Sequence, residues 1–381
     1  MRRPLEIYIH IPFCVRKCRY CDFLSFPADE EVKGNYVDAL INEIGAFNLA
    51  EEYQVDTVFF GGGTPSVLDG VAVLRIMDQI KNHFKLNASV EVSIEANPGT
   101  VSAEKFVMYR EAGINRLSFG LQSVHDKELE ALGRVHTFEM FLESYEMARN
   151  QGFANINVDL MSALPGQSCA LWEESLAKVL ELRPEHISAY SLIVEEGTPF
   201  YNMWEKKQLD LPCEEVERTM YHRTKEILGQ AGYDRYEISN YARKGYECRH
   251  NIGYWTGVEY IGFGLGASSL ISHQRIKNTT DMENYLAAHL YNKKEVWTEN
   301  EVQTPENQME EYMFLGLRLS KGISASDFQK KFVRNIREIY GTVLEKHRRE
   351  GLLDMNGDTI RLTEKGMDLS NYVLADFLIE C

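Results

Sequence analysis

The chain has 381 residues, 44% hydrophobic and 26% charged, with 27 Gly beside 10 Pro; this is the make-up of a folded protein of about two or three domains and excludes the collagen-like, low-complexity and disordered classes. Its 57 acidic residues outnumber 41 basic ones for a formal charge of -16, which opposes attraction to phosphate backbones and anionic lipid, so nucleic acid is not an expected partner. No uninterrupted apolar run reaches the roughly 18 residues of a membrane span, and the start, MRRPLEIYIHIPF, lacks a signal peptide's apolar run and cleavage site, so a cytoplasmic location is expected.

In chain order, six β-rich runs are predicted before residue 200: LEIYIHIPF, VDTVFFGGG, VEVSIEANP, INRLSFGLQS, ANINVDLMSAL and EHISAYSLIVEE. Amphipathic segments with apolar residues three and four apart lie between them, such as VAVLRIMDQIKNHF, AEKFVMYREAG, FEMFLESYEMARNQG and ALWEESLAKVLELRP. This βα alternation predicts an α/β fold with a parallel sheet, either doubly wound or a complete or partial barrel. After residue 200 the rhythm changes, and a charged helix, the segment YDRYEISNYARKGYECRHNIGYWTG and the glycine-spaced YIGFGLGASS read as an appended subdomain. KKEVWTENEVQTPENQ reads as a linker; helical patterns follow from about Met309 to Glu350, then two short strands around Asn356 and Gly357, a hairpin signal. Helices followed by a hairpin predict a small winged-helix-like α+β domain, read as structural or docking. The expected divisions are 1–213 for the barrel, 214–290 for the appended subdomain, 291–307 for the linker and 308–381 for the C-terminal domain.

Polar and glycine residues gather at the C-terminal ends of the strands: Cys14, the Gly61–Thr64 run, Glu95, Gln122 and Asp159. In parallel α/β folds that rim carries the active site. Of seven cysteines, Cys14, Cys18 and Cys21 form a Cys-x3-Cys-x2-Cys cluster and the rest are scattered, which is no disulfide framework. Structural zinc normally takes four protein ligands in paired Cys-x2-Cys spacing, and no second pair exists here. A 4Fe-4S cluster held by three cysteines leaves one iron open, and that reading is preferred; Arg16, Lys17 and Arg19 either favour the thiolates or form a solvated basic turn. Glycines 61, 62 and 63 let a ligand approach the backbone and its amides, or make a tight strand-to-helix turn. Tyr8 and His10 alternate with Ile7, Ile9 and Ile11, so both point into the interior, as core or as pocket wall. Glu95, ending an apolar strand, needs a partner.

With YIHIPFC, FFGGGTPS, SIEANP, GLQS and LGRVH around the cysteine triplet, the chain resembles the radical S-adenosylmethionine (SAM) superfamily, in the branch of the oxygen-independent coproporphyrinogen III oxidases, over essentially its whole length. The resemblance implies a partial (β/α)6 barrel. It implies cluster ligation by Cys14, Cys18 and Cys21, with SAM on the open iron. It places Tyr8, Gly61, Gly62, Gly63, Thr64, Glu95, Gln122, Arg134 and Asp159 at SAM, and Tyr20 beside the cluster or the adenine; His10 lines the pocket. Two departures argue against the oxidase: Phe23 stands where decarboxylating members carry a further cysteine, and the chain begins almost on its first strand. HNIGYW supplies His250, Asn251, Tyr254 and Trp255; histidine is a common axial ligand of haem iron and aromatic rings pack on porphyrins, although such a group is also an ordinary structural element. The pattern H-N-x-x-Y-W resembles the haem-chaperone family of the same branch. That implies haem as cargo, transfer to acceptor haemoproteins such as membrane respiratory enzymes, dimerisation promoted by haem or cluster, and any membrane visit through a protein partner. The alternatives are the oxidase, decarboxylating coproporphyrinogen with SAM, or a radical SAM enzyme acting on another substrate.

Overall fold

All six strands expected before residue 200 form and pair in parallel in chain order: β1 (Arg3–Ile11), β2 (Tyr53–Gly62), β3 (Leu86–Ala96), β4 (Arg116–Gln122), β5 (Ile156–Ser162) and β6 (His186–Ser191). The computed structural model describes residues 2–291 and 296–379. The crossovers are α1 (Glu30–Ala46), α2 (Gly70–His83), α3 (Ala103–Ala112), α4 (Asp126–Leu132), α5 (Phe138–Asn150) and α6 (Cys169–Leu182). They start on side-chain caps where the sequence supplies Asp or Ser: Asp69 accepts the Ala72 amide at 2.6 Å and Ser102 that of Lys105 at 3.2 Å. Removing the first of these in Asp69→Ala is expected to cost about 1 kcal/mol, read as a lowered urea midpoint with an unchanged slope.

The strands alternate on either side of register shifts in β1, β2 and β4. Their outward residues, among them Ile7, Ile9, Val58, Phe60, Ile94, Leu117, Phe119 and Val158, are fully buried under the helices and share one core with Leu40, Ile76, Phe106 and Phe141. Each such side chain contributes roughly 1.5–3 kcal/mol by burial. The inward residues are mostly polar: Glu6, Tyr8 and His10 on β1, Thr57 on β2, Glu91, Ser93 and Glu95 on β3, Arg116 and Ser118 on β4, Asn157 and Asp159 on β5, and His186 and Ser188 on β6. The apolar core therefore lies between sheet and helices, and the hollow is left for chemistry.

The barrel stays open. β6 pairs antiparallel with β8 (Asn240–Ala242), which pairs with β7 (Asp234–Arg235), after α7 (Pro199–Glu205) and α8 (Glu214–Gln230). On the other side, following α9 (Arg249–Thr256), β1 pairs with β9 (Tyr260–Phe263), and the sheet runs on through β10 (Ser268–Ile271), β11 (Gln274–Asn278) and, after α10 (Met282–Tyr291), β12 (Trp297–Val302), for twelve strands in all. Residues 292–295 of the expected linker lie outside the described residues, as does Cys381. The rest of that strip is not loose chain: Trp297–Val302 is an exposed, charged edge strand on β11, and Thr304 begins the next helix with a capping box.

The C-terminal domain comprises α11 (Pro305–Gly316), β13 (Ile323–Ser324), α12 (Ala325–Phe332), α13 (Ile336–Arg349), β14 (Leu353–Asn356), β15 (Thr359–Leu362), α14 (Glu364–Asp368) and α15 (Ser370–Ala375), around its own core of Met313, Phe328, Tyr340, Leu344 and Phe377. The hairpin turns on Gly357 and Asp358, one position later than expected, because Asn356 pairs with Thr359; Gly357 takes the left-handed conformation at φ 60°.

Candidate functional site

A cavity of about 560 Å³ fills the hollow, with Cys14, Cys18, Cys21, Gly63 and Thr64 around it at the C-terminal ends of the strands. Three attachments hold the cysteine loop. The Cys14 amide donates to Phe26 O at 3.2 Å, the Arg19 amide to Leu132 O at 2.9 Å, and the Phe200 amide to Arg19 O at 3.0 Å. The buried Arg134 guanidinium donates to Cys18 Sγ at 3.6 Å, to Asn97 Oδ1 at 2.6 Å and to Gly120 O at 2.5 Å. It thus sets a fixed positive charge beside a thiol and ties the loop to β3 and β4. Burial holds the Cys14 and Cys21 thiols above their ordinary range.

Three thiols around one mouth, with a guanidinium against one of them, fit a 4Fe-4S cluster. In such a cluster each cysteine binds its own iron and convergence on one point is not required. Among the described residues no three His, Cys, Asp or Glu side chains do converge on a single ion. The hollow beneath fits a nucleoside-sized ligand, and Arg116 on its wall carries a buried Nε without a partner.

Glycines 62 and 63 serve close packing. A Cβ on Gly63 would meet Phe13 O at 2.6 Å, and Gly62, at φ 116°, lies against the His10 ring. Their amides are not free for a ligand as the sequence reading allowed, since the Gly63 and Thr64 amides donate to Ile11 O at 2.9 Å and Phe13 O at 2.7 Å, and Gly62 donates to Glu95. Gly61 lies under the Tyr8 ring and does not line the cavity. Burial, and next the charge of Asp159, push Glu95 up to about 8 against the Gly62 amide and Arg116, so at neutral pH its carboxyl is mostly protonated until a cation joins it. Burial likewise raises Asp159, which Asn157, Ser188, Arg116 and Ser118 oppose. Gln122 sits in the left-handed region at φ 73°, where the β4–β5 register shifts, and accepts the Tyr190 hydroxyl at 2.9 Å. Such a non-glycine conformation re-aims a side chain at a strand end. Tyr20, partly buried, also lines the cavity, and burial raises its hydroxyl.

The HNIGYW segment is helix α9, laid across the strands' N-terminal ends. Glu91 accepts the amides of Arg249 and His250, each at 3.3 Å, which neutralises the helix N-terminus. His250 and Tyr254, four apart, face the hollow. The His250 ring is buried, stacks on Phe59 with centroids 5.1 Å apart, and has both nitrogens engaged, Nδ1 with Thr57 Oγ1 at 2.7 Å and Nε2 with Tyr254 Oη at 3.1 Å. Burial, then Arg116, push it down to about 3. This departs from the expected iron ligand, because neither nitrogen is presented to incoming metal. Asn251 stays with the first cavity, while Trp255 turns to the opposite side, under the Arg318 guanidinium at 4.5 Å.

Sequence reading missed the wall formed by Arg116, Ser118, Asn157 and Ser188, with the buried His186 behind it. Asn157 donates to Ser118 at 2.7 Å and to Asp159 at 2.7 Å, and its Oδ1 lies 2.6 Å from His186 Nδ1. The signal was available in the period-two polar residues of otherwise apolar strands.

The model of the radical SAM superfamily matches residues 8–179, and that of the HemN C-terminal domain matches residues 303–369. The haem chaperone HemW of Bacillus subtilis is 40% identical over 375 residues, covering 98% of this chain and 99% of that protein. HemW of Lactococcus lactis is 36% identical over 380 residues, covering 100% and 99%; HemW of Escherichia coli is 40% identical over 281 residues, 73% of each chain. Among solved structures, the coproporphyrinogen III oxidase HemN of Escherichia coli, a radical SAM enzyme, superposes with a TM-score of 0.85 at 23% identity over 99% of this chain and 90% of that one. That likeness speaks for the fold.

Proposed function

The chain belongs to the HemW family within the radical SAM superfamily, and from that premise we propose that it is a haem chaperone, which takes up haem and passes it to haemoproteins such as respiratory enzymes. The observation that carries the reading is the similarity to haem chaperones along the whole length, 40% identity over 99% of the Bacillus protein. Two features support it. Phe23, 62% exposed, stands beside the cavity where a decarboxylase of this branch would carry a cysteine, and the HNIGYW helix is built into the sheet on Glu91.

In this reading Cys14, Cys18 and Cys21 would hold a 4Fe-4S cluster, with SAM in the pocket beside it. The cluster, when bound, supplies one-electron chemistry to the SAM sulfonium. Arg134 fixes Cys18 and meets the carboxylate, Glu95 meets the cationic end, Tyr8, Gln122 and Asp159 fix the nucleoside, and Tyr20 closes the cluster side. Recruitment of a second copy accompanies loading, and acceptor proteins bring the chaperone to a membrane. No described helix is long and apolar enough to cross one.

Glu95→Gln is expected to keep the cluster, read as iron and sulfide content, and to weaken SAM binding about tenfold by calorimetry, the loss of one charge-assisted contact. The function is tested by anaerobic reconstitution followed by parallel haem titration, transfer to an apo-haemoprotein and incubation with coproporphyrinogen III and SAM. A Soret band and transfer without carbon dioxide release are expected; turnover of coproporphyrinogen would overturn the reading in favour of the oxidase.

A further inference from the structure

Arg134 brings a guanidinium against Cys18 Sγ, and the chain fixes it at both ends. Its backbone is bolted to the cysteine loop: Arg16 Nη2 donates to Gly133 O at 2.7 Å and to Arg134 O at 3.1 Å, and the Arg19 amide donates to Leu132 O at 2.9 Å. The far end is seated by Nη2, which donates to Asn97 Oδ1 at 2.6 Å and to Gly120 O at 2.5 Å. Both protons of that nitrogen are thereby spent, and Nη1 is left turned to the sulfur at 3.6 Å. Gly120 makes the room, since a Cβ there would lie 3.2 Å from Nη2 and 2.8 Å from Asn97 Oδ1. Asn97 is itself pinned. Its Nδ2 donates to Thr64 Oγ1 at 2.8 Å and its backbone amide to Ser66 Oγ at 3.1 Å, so the side-chain oxygen is held toward Arg134.

The guanidinium carries a charge that the protein leaves unbalanced. Among the described residues no carboxylate pairs with it, and the chief ionisable groups acting on its charge are Tyr20, Cys18 and Tyr190. Its Nε, closed to solvent, has no acceptor. A cation withdrawn from water without a counter-ion is costly until an anion joins it. The sulfur of Cys18, anionic as a cluster ligand, is in contact with it.

We propose that Arg134 tunes the reduction potential of the cluster through Cys18, and that Asn97 is the positioning residue that holds it there. Reduction adds one electron from an external donor, and so one negative charge, to the cluster. A fixed positive charge hydrogen-bonded to a ligating sulfur favours the reduced form and raises the potential. This role is separate from the one toward the SAM carboxylate, and it rests on the cluster reading given above.

The test is an anaerobic redox titration of the reconstituted full chain without SAM, with dithionite as the electron donor and the electron paramagnetic resonance of the reduced cluster as the signal. It compares wild type, Arg134→Gln, Asn97→Ala and the double variant, and iron and sulfide content report that each holds a cluster. Arg134→Gln is expected to lower the midpoint potential by about 59 mV, a tenfold change in the one-electron equilibrium. Asn97→Ala is expected to move it in the same direction, and to move it no further once Arg134 is gone, which a merely structural asparagine would not do. A wild type that takes up no cluster overturns the cluster reading and this role with it. A wild-type cluster whose potential is unaltered in Arg134→Gln overturns the tuning role alone. Equal shifts from Asn97→Ala with and without Arg134 overturn the positioning role. If Arg134→Gln takes up no cluster, Asn97→Asp decides: it keeps the guanidinium and sets a carboxylate against it, so a lowered potential supports the assignment and an unchanged one overturns it.

Discussion

Alanine at any one of Cys14, Cys18 or Cys21 is expected to abolish the 4Fe-4S cluster, with iron, sulfide and the broad visible absorbance all lost after anaerobic reconstitution. Each thiol serves a different iron, and among the described residues the loop offers no fourth cysteine, Cys248 bordering the same cavity from another element. Cys169, Cys213 and Cys248 lie outside the loop, Cys248 buried beneath the HNIGYW helix with its thiol 3.7 Å from Glu91. The apo fold is expected to change by less than about 1 kcal/mol, because all three cluster thiols are half-exposed and the loop hangs on backbone hydrogen bonds at Cys14, Arg19 and Phe200. A single-cysteine variant with full iron and sulfide content would dismiss the cluster assignment.

Glu6→Gln is expected to stabilise the protein at neutral pH. The Glu6 carboxyl is buried, one of its oxygens has no partner, and burial followed by the charge of Glu91 pushes it up to about 9. Between the ordinary carboxyl range near 4.5 and that value, the folded chain keeps a proton that the unfolded chain has released. Stability therefore falls as pH rises through this window, and the loss is complete above the folded value. Glutamine has no proton to lose. The difference between variant and wild type in urea unfolding is expected near zero at pH 4.5, growing to about 3 kcal/mol by about pH 7. Other raised carboxyls, such as Glu95, are common to both proteins and cancel. A difference that does not vary with pH would dismiss the assignment. The site also explains Gly253 within HNIGYW, since a Cβ there would collide with the Glu6 carboxyl.

The parallel strands and their helices were legible because Ile7, Ile9 and Ile11, or Leu117 and Phe119, repeat at two while the crossovers repeat at three and four. The cysteine loop was legible because its spacing is local. What was not legible depends on partners remote in sequence. Trp297–Val302 reads as polar linker and becomes a strand only because β11 offers an unpaired edge, and its charges suit that edge position. Arg116, Asn157 and His186 form one wall only after parallel pairing aligns Ser118 with Asn157 and Asn157 with His186. His250 reads as a metal ligand until Thr57, from a strand 193 residues earlier, is seen beside it.

The division of the barrel strands into an outward apolar row and a mostly polar inward row has an evolutionary consequence. Cohesion resides in Val58, Phe60, Ile94 and Val158, pressed against the helices, and those positions tolerate little. Phe59, Ser118 and Ser188 border the cavity instead, so exchanging them alters what the hollow accepts while leaving the shell intact. A lineage built on this plan can trade one occupant for another without crossing an unfolded intermediate.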